Sequence, residues 1–408
     1  MRPLLIVALT FLYLPGTAQG LVAPAKTNEG WGYIRKDQSW LVPPSYDRFW
    51  QDGQYIVNEN SRETVLSEYN EGMAGIRVAE KWGFLDSTGK ETIKHQFTDI
   101  RHFHESLAAV KWKGKWGFID KKGQWVIQPQ FEEAKSFNSE LACVSQDGKW
   151  GFIDKSGKWI IPNLYQECRK NTGSLIAVKY DKKWGFINQQ NNWVIKTKFD
   201  EAENFTEGYA KVEMDGLCGY IDTTGTFVIE PKFEKAFPFI NHLARVKLNG
   251  SWGFIDTTGK LLGNQSFFNA EDFEDDVARV KDVKGWGYID RQGNRVIPTQ
   301  FYFAGNFENG IGRVKINPDA HRTDKGQWIF IDKEGKKLFA DKYFEKAEDF
   351  CNGTARVKVK DLWGYLNQKG EFEIPPRYER CLDFMPVNLS LKNKPVNPVL
   401  EYFMEKSY

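Results

Sequence analysis

The sequence predicts an all-β array of tandem units, and three observations carry that prediction. An anchor residue recurs at Trp31, Trp82, Trp116, Trp150, Trp184, Cys218, Trp252, Trp286, Trp328 and Trp363, and each step from Trp82 to Trp286 is 34 residues. A fixed period of that size marks a repeat architecture. Around each anchor the chain reads as short β-rich runs separated by polar, Gly-containing turns. Finally, 15 Trp, 16 Tyr and 30 Phe among 408 residues exclude a disordered chain, because such chains lack large apolar side chains.

The first element is a leader. Met1-Arg2 is positively charged, Leu4 to Leu14 is apolar, and Gly16-Thr17-Ala18-Gln19-Gly20 offers small residues for cleavage after Ala18 or Gly20. This three-part pattern reads as a signal peptide over residues 1–20. The apolar run is short for a bilayer, and no later stretch reaches the ~20 apolar residues a spanning helix needs. The expected mature chain is therefore exported (periplasmic, cell-surface or secreted) and has no membrane span. Basic residues number 56 and acidic residues 54, so there is no electrostatic footprint for nucleic acid.

One unit is clear in Leu107 to Phe137. LAAV and WGFID are β-rich runs joined by a polar turn, and Asp120-Lys121-Lys122-Gly123 turns the chain into a third run, WVIQP. Asp at the head of that turn can accept N–H bonds from the turn itself, and Gly three residues later tolerates positive φ. The same D-x-x-G recurs at Asp86, Asp154, Asp222, Asp256, Asp290 and Asp332, with Asn188 and Asn367 replacing Asp twice. Pro129, Pro162, Pro231, Pro298 and Pro375 end the third run, since Pro cannot donate to a ladder. The F-x-x-A-x-x-F segment that follows could be a fourth strand or a loop with one helical turn. Position +2 from the anchor is Phe or Tyr in all ten units, and +15 is aromatic from Tyr46 through Tyr343 to Tyr378. Runs apolar on both faces must be covered on both, so the units stack and none is stable alone.

The repeated KWGFID-x-x-G-x-x-V-I-x-P-x-F-x-x-A-x-x-F-x-x-G-x-A-x-V resembles the WG-repeat (KWG) family of bacterial proteins, from about Gly30 to Phe384. Cys218, Ile329 in place of the motif Gly and Gly263 in place of the strand Ile depart from the pattern. The resemblance implies an extracytoplasmic or envelope-associated β-repeat array without general catalytic activity, and it transfers no functional residues.

The ends of the array bear on closure. GWGYIR follows the leader directly, so the first unit starts at its second strand. The last unit runs past Tyr378 into Cys381 to Phe384 and Val387 to Leu391, which matches a spare first strand. A tail of that kind can complete the first blade of a β-propeller-like ring. Ten units exceed the usual four to eight or so blades, so two five-bladed rings or an open β-solenoid of stacked hairpins stay open as alternatives. The organisation is a signal peptide over 1–20, ten units over 21–390, in one array or two, and a tail over 391–408.

Residues that could carry chemistry are few. Calcium takes about six to eight oxygens and each D-x-x-G supplies one carboxylate, so these read as turn caps. His102 and His104 alternate on one face near His95, but no further ligand completes a zinc site. Cys168 and Cys381 fall where other units carry Ala and read as small buried hydrophobes; five Cys at unrelated positions show no pairing scheme, although one disulfide between stacked units is open. Hence no cofactor, metal or catalytic set is expected. Function should lie where the repeat breaks: a 17-residue excess from Trp50 to Tyr69, and an eight-residue excess from Ile316 to Gln327 holding Asp319, His321, Arg322 and Asp324. Trp50 and Trp112 lie off the aromatic pattern. The expected function is a non-enzymatic binding or scaffold module for protein or envelope partners. The alternatives are a cell-wall glycan-binding module using Trp50 and Trp112, or a hydrolase in the repeat-breaking loops.

Overall fold

The structure is a computed structural model that describes residues 20–51, 54–56, 65–263, 266–316 and 327–387. The β-rich runs pair into ten small sheets, and no α-helix occurs among the described residues. Blade 4 shows the pattern: strand a is Glu133–Ala134, b is Ala142–Gln146, c is Lys149–Ile153 with the anchor Trp150, and d is Trp159–Tyr165. They pair antiparallel in the order a-b-c-d. One residue, Glu132, joins strand d of blade 3 to strand a of blade 4. The F-x-x-A segment is therefore neither a fourth strand of its own unit nor a helical loop. It opens the next sheet, where Ala134 pairs with Val144.

Close approach of strand d explains the Gly after each anchor. Trp150 pairs with Tyr165 and Phe152 with Ile161, so strand d bulges over the intervening Gly151. A Cβ on Gly151 would stand 2.5 Å from the Ile161 carbonyl oxygen. The two departures from the motif have matching consequences. Where Gly263 replaces the strand Ile, blade 7 is a three-stranded sheet; where Ile329 replaces the Gly, strand d of blade 9 is only Lys337–Leu338. The aromatic of that unit is also displaced: Phe344 is buried and bridges to Trp328, while Tyr343 is exposed.

Ten clusters of buried apolar side chains each join two neighbouring sheets. Phe152, Ile161 and Tyr165 of blade 4 pack on Cys168, Ile176 and Val178 of blade 5. The last cluster sets Tyr365, Ile374 and Tyr378 of blade 10 against Ala23, Ala25 and Ile34 of blade 1. The array is thus one closed ring of ten blades, not two rings of five and not an open solenoid. The recurrent Trp nine residues past the anchor fastens the same junctions, edge-on to the +15 ring of the preceding unit: Trp125 on Phe97, Trp159 on Phe131, Trp193 on Tyr165, and Trp40 on Tyr378 across the seam.

The first and last described strands meet in blade 1. Its strands b, c and d are Leu21–Thr27, Gly30–Arg35 and Trp40–Tyr46. The C-terminal segment supplies strand a, with Cys381 and Arg380 opposite Ala25 and Lys26, and Met385 and Pro386 opposite Val22 and Leu21. The tail does close the ring, through the Cys381 to Phe384 part of the expected segment and a Val387 N–H bond to the Gly20 carbonyl; residues 388–391 lie outside the described residues. The N-terminus does not lack its first strand. Leu21–Thr27 occupies the place of LAAV, disguised in the sequence by Pro24, which cannot donate to a ladder.

A cation, fully buried at Arg169 and Arg245 and part-buried at the others, braces seven junctions. Arg101, Lys135, Arg169, Arg245, Arg279, Arg313 and Arg356 each donate to the strand-a carbonyl of the next blade, at Ala134, Cys168, Ala202, Ala270, Ala304, Ala347 and Cys381. Each also lies over the anchor Trp of its own blade. The first three extend from just after strand a and the last four from strand b. These are cross-strand neighbours (the Arg101 N–H donates to the Ala109 carbonyl), so either position delivers a cation to one place.

Where blade 4 carries Cys143 at the strand-b position, it forms a disulfide with Cys168 of blade 5. The one disulfide left open by the Cys count is thus present, and Cys168 is not merely a small hydrophobe. It closes a loop of 25 residues, so reduction should remove about 3 kcal/mol of stability. Denaturant titration with and without reductant, and of Cys143→Ser, reads this; equal midpoints in all three would refute it.

The D-x-x-G carboxylates serve their turns. Asp154 Oδ1 accepts from Ser156 N, Ser156 Oγ and Lys158 N at 2.9, 2.6 and 3.0 Å. Asn188 and Asn367 accept in the same way through their amide oxygens. The hydroxyls of Ser156, Thr224 and Thr258 hold Asp154, Asp222 and Asp256 below the usual carboxylate range, with turn N–H groups adding to the effect and slight burial opposing it. With the folded pKa below the unfolded one, this stabilisation is complete above the unfolded pKa and is lost as pH falls through the folded one. Thermal stability should fall below about pH 4. The variant Ser156→Ala/Thr224→Ala/Thr258→Ala should show a shallower acid limb, and an unchanged slope would contradict the assignment.

Candidate functional site

A single site on a tenfold array must use positions where the repeat differs from itself. The residue that joins strand d to the next strand a is such a position. Its N–H donates to a carbonyl near the end of the next strand b, from Thr98 to Lys111 through Glu379 to Lys26, at nine junctions. That bond sets its side chain against the b–c hairpin of the following blade. Glu132, Gln166, Asp200, Glu234 and Glu345 there accept a hairpin N–H at 2.7–2.9 Å. They leave those hairpins self-capped and polar.

The junctions into blades 8 and 9 lack this cap. Phe268 and Tyr302 stand in the acid's place, and neither can accept through a carboxylate. Phe268 is 66% exposed, Tyr302 61%, and Val283 at the hairpin tip of blade 8 is 80% exposed. Lys315 Nζ lies 5.1 Å from the Tyr302 ring centre. In blade 9 strands b and c flank the excess from Ile316 to Gln327, and the Ile316 N–H donates to the Gln327 carbonyl. Asp319, His321, Arg322 and Asp324 lie outside the described residues.

Trp112 belongs to the b–c hairpin face too. It ends strand b of blade 3, beside Lys113 in the b–c hairpin, and lines a cleft of about 410 Å³ with Lys81, Gln96, Thr98 and Lys113. Its ring is half-buried and stands edge-on to Phe97 at 6.2 Å. Trp50 is set apart. Its backbone lies in Arg48–Gln51, which pairs parallel with Val65–Asn70, the strand a of blade 2, and antiparallel with Gln54–Ile56. The first excess thus widens blade 2 to a six-stranded sheet, and Phe49, just before it, is buried against Trp31 and Tyr33. The Trp50 side chain lies outside the described residues.

His95 pairs with Glu91 at 2.9 Å, and no group of three or more His, Cys, Asp or Glu among the described residues could hold a metal ion. Phe268, Val283 and Tyr302 are absent from the sequence-based candidates. Their signal lies in the aligned column Asp47, Thr98, Glu132, Gln166, Asp200, Glu234, Phe268, Tyr302, Glu345, Glu379. Two aromatics in a polar column are conspicuous once the column is known to cap a hairpin, and nothing in the sequence assigns it that task.

Comparison with known proteins adds the following. The model of the WG containing repeat family matches residues 31–60, 82–116, 116–150, 150–184, 184–218, 219–252, 252–282, 286–317, 328–363 and 363–384. No curated protein matches the chain. Among solved structures, a eukaryotic initiation factor is similar at 11% identity with a TM-score of 0.47, over 78% of this chain and 95% of that one. Sqt1 of Saccharomyces cerevisiae is similar at 11% identity with a TM-score of 0.34, over 69% and 97%. Hsv2p of Kluyveromyces lactis is similar at 11% identity with a TM-score of 0.32, over 63% and 99%.

Proposed function

The chain belongs to the WG containing repeat family, and on that premise we propose that it is an exported, non-enzymatic docking module holding a protein partner of the cell envelope on its b–c hairpin face. One observation carries this reading. At two adjacent junctions the side chain that caps the hairpin at five others is replaced by the exposed rings of Phe268 and Tyr302, and Val283 in the b–c hairpin of blade 8 is exposed as well. Exposed aromatic side chains are enriched at protein contacts. Export is supported by the leader pattern and by the Cys143–Cys168 disulfide, a bond that persists in oxidising compartments.

The test restores the residues of the sister junctions. Phe268→Glu and Tyr302→Glu recreate the capping acid, so the ring should melt unchanged while quantitative capture of envelope proteins falls by about tenfold or more, the loss of one or two aromatic anchors. Charge reversal at Asp319 and Asp324 should lower the same capture. Unchanged recovery across all these variants would defeat the docking surface. Export is read separately from the N-terminal residue of the mature chain, expected as Gln19 or Leu21; a retained Met1 would defeat it.

A further inference from the structure

We infer that the partner held through Phe268 and Tyr302 presents an acidic segment to them, with carboxylates beside apolar side chains. This rests on the docking reading above and names the chemistry of what docks. A column of lysines shows what the two junctions lack. At nine junctions the joining residue donates its N–H to a strand-b carbonyl, and at seven of these the carbonyl belongs to a lysine. Five of the seven have a carboxylate within 4.0 Å: Lys26 of Glu379, Lys111 of Glu133, Lys179 of Glu167, Lys247 of Glu234, and Lys358 of Asp361. Four of those acids are a joining residue or the strand-a residue that follows one.

That two-residue step holds at least one acid at eight of the ten junctions, from Asp47-Arg48 and Thr98-Asp99 to Glu379-Arg380. The two exceptions are adjacent, Phe268-Asn269 and Tyr302-Phe303. Their lysines are Lys281 and Lys315, and neither has an ion-pair partner among the described residues. Asp282, next to Lys281, is taken up by Arg295 and Thr299, each at 2.8 Å. Both lysines are half-buried, and their ammonium groups lie 5.8 Å from the Trp286 ring centre and 5.1 Å from that of Tyr302.

The sister bonds show what fills such a place. From the joining position Glu379 meets Lys26 at 2.7 Å and Glu234 meets Lys247 at 3.8 Å. A ring in that position leaves the ammonium open to a carboxylate from outside. A partner that covers Phe268 and Tyr302 also takes water from Lys281 and Lys315, and a charge covered without a counter-charge weakens binding. Acids on the partner remove that cost, while apolar side chains beside them meet the rings. An anionic lipid surface is the poorer fit, because it is read by about four to eight clustered basic residues and this column offers two.

Selection of displayed random peptides on the mature protein, counter-selected on the Phe268→Gln/Tyr302→Gln variant, reads the partner's chemistry. Gln caps the sister hairpin at Gln166 and adds no charge that would bias the selection. Surviving peptides should be enriched in Asp and Glu beside Leu, Phe or Trp. As free peptides they should bind about three- to tenfold more weakly to Lys281→Gln/Lys315→Gln, and more weakly as salt rises from about 0.05 to about 0.3 M. Lys247→Gln is the matched control, because that lysine already faces Glu234, and it should leave peptide affinity unchanged. Survivors without acid enrichment, or equal affinity for Lys281→Gln/Lys315→Gln, would overturn the inference and leave the docking surface standing. Binding to phosphatidylglycerol vesicles that is lost in the lysine variant, with no effect on peptides, would reassign the lysines to a membrane and overturn it too. If no peptide distinguishes the wild type from Phe268→Gln/Tyr302→Gln, the docking surface itself fails and the inference with it.

Discussion

Gly185→Ala should destabilise the ring by about 3–4 kcal/mol, a large effect for a single added methyl group. The new Cβ would stand 2.7 Å from the Ile195 carbonyl oxygen, 2.8 Å from the Thr197 nitrogen and 2.9 Å from the Trp193 ring. Two of those atoms are backbone, so no side-chain rotation relieves the contact. Relief requires strand d of blade 5 to lift, which breaks its pairing with strand c and withdraws Trp193 from Tyr165. Gly173→Ala is the matched control: nothing lies within 4 Å of its added Cβ, so its effect should stay within about 0.5 kcal/mol. Denaturant midpoints of the two variants decide the matter, and a Gly185→Ala midpoint equal to that of Gly173→Ala would refute the close-approach account of the motif.

Arg245→Met should cost about 3–5 kcal/mol, because it leaves a buried acid without its counter-charge. The Arg245 side chain is 5% exposed and that of Asp272 11%, with Nε to Oδ1 at 3.0 Å. The same guanidinium donates to the Ala270 carbonyl at 2.5 Å, approaches Glu271 at 3.1 Å, and lies over the neighbouring Phe237 and Trp252 rings. Met preserves much of the apolar contact and removes every donor. Burial already raises the Asp272 carboxyl, with Arg245 the main opposing influence. In the variant its folded pKa should rise further above the unfolded value. The cost is then full at neutral pH and shrinks as pH falls through that raised pKa, where the folded protein holds the neutral acid. Adding Asp272→Asn should recover part of the loss at neutral pH. A pH-independent loss, or no recovery in the double variant, would show that packing alone is at stake.

These two sites differ in how visible they are before folding. The glycine is legible from repetition, since the same dipeptide stands beside nearly every anchor and its reason is local to one hairpin. The brace is not. Arg101 and Arg245 occupy different columns of the repeat, and only the pairing of strands a and b shows that both columns deliver a cation to one place. Cys143 and Cys168 are similarly unrelated by repeat position and become neighbours because strand b of one blade faces strand a of the next. At the candidate face, Trp112 and the excess after Ile316 are readable as breaks in the pattern. Phe268 and Tyr302 are not, because their meaning depends on the hairpin that their sister residues cap.

The sequence by itself determined the three strands around each anchor in most units, the D-x-x-G turns, the number of units and the need for each to be covered on both faces. All of these rest on bonds and side-chain alternation within one 34-residue period. Only the tertiary structure decided that ten units close into one ring, and that Arg380–Cys381 and Met385–Pro386 complete the blade begun by Leu21–Thr27. That decision depends on the small twist between successive blades summed around the whole ring, which no single period encodes. It is recorded instead in contacts such as Lys26 with Glu379 at 2.7 Å, 353 residues apart in the chain.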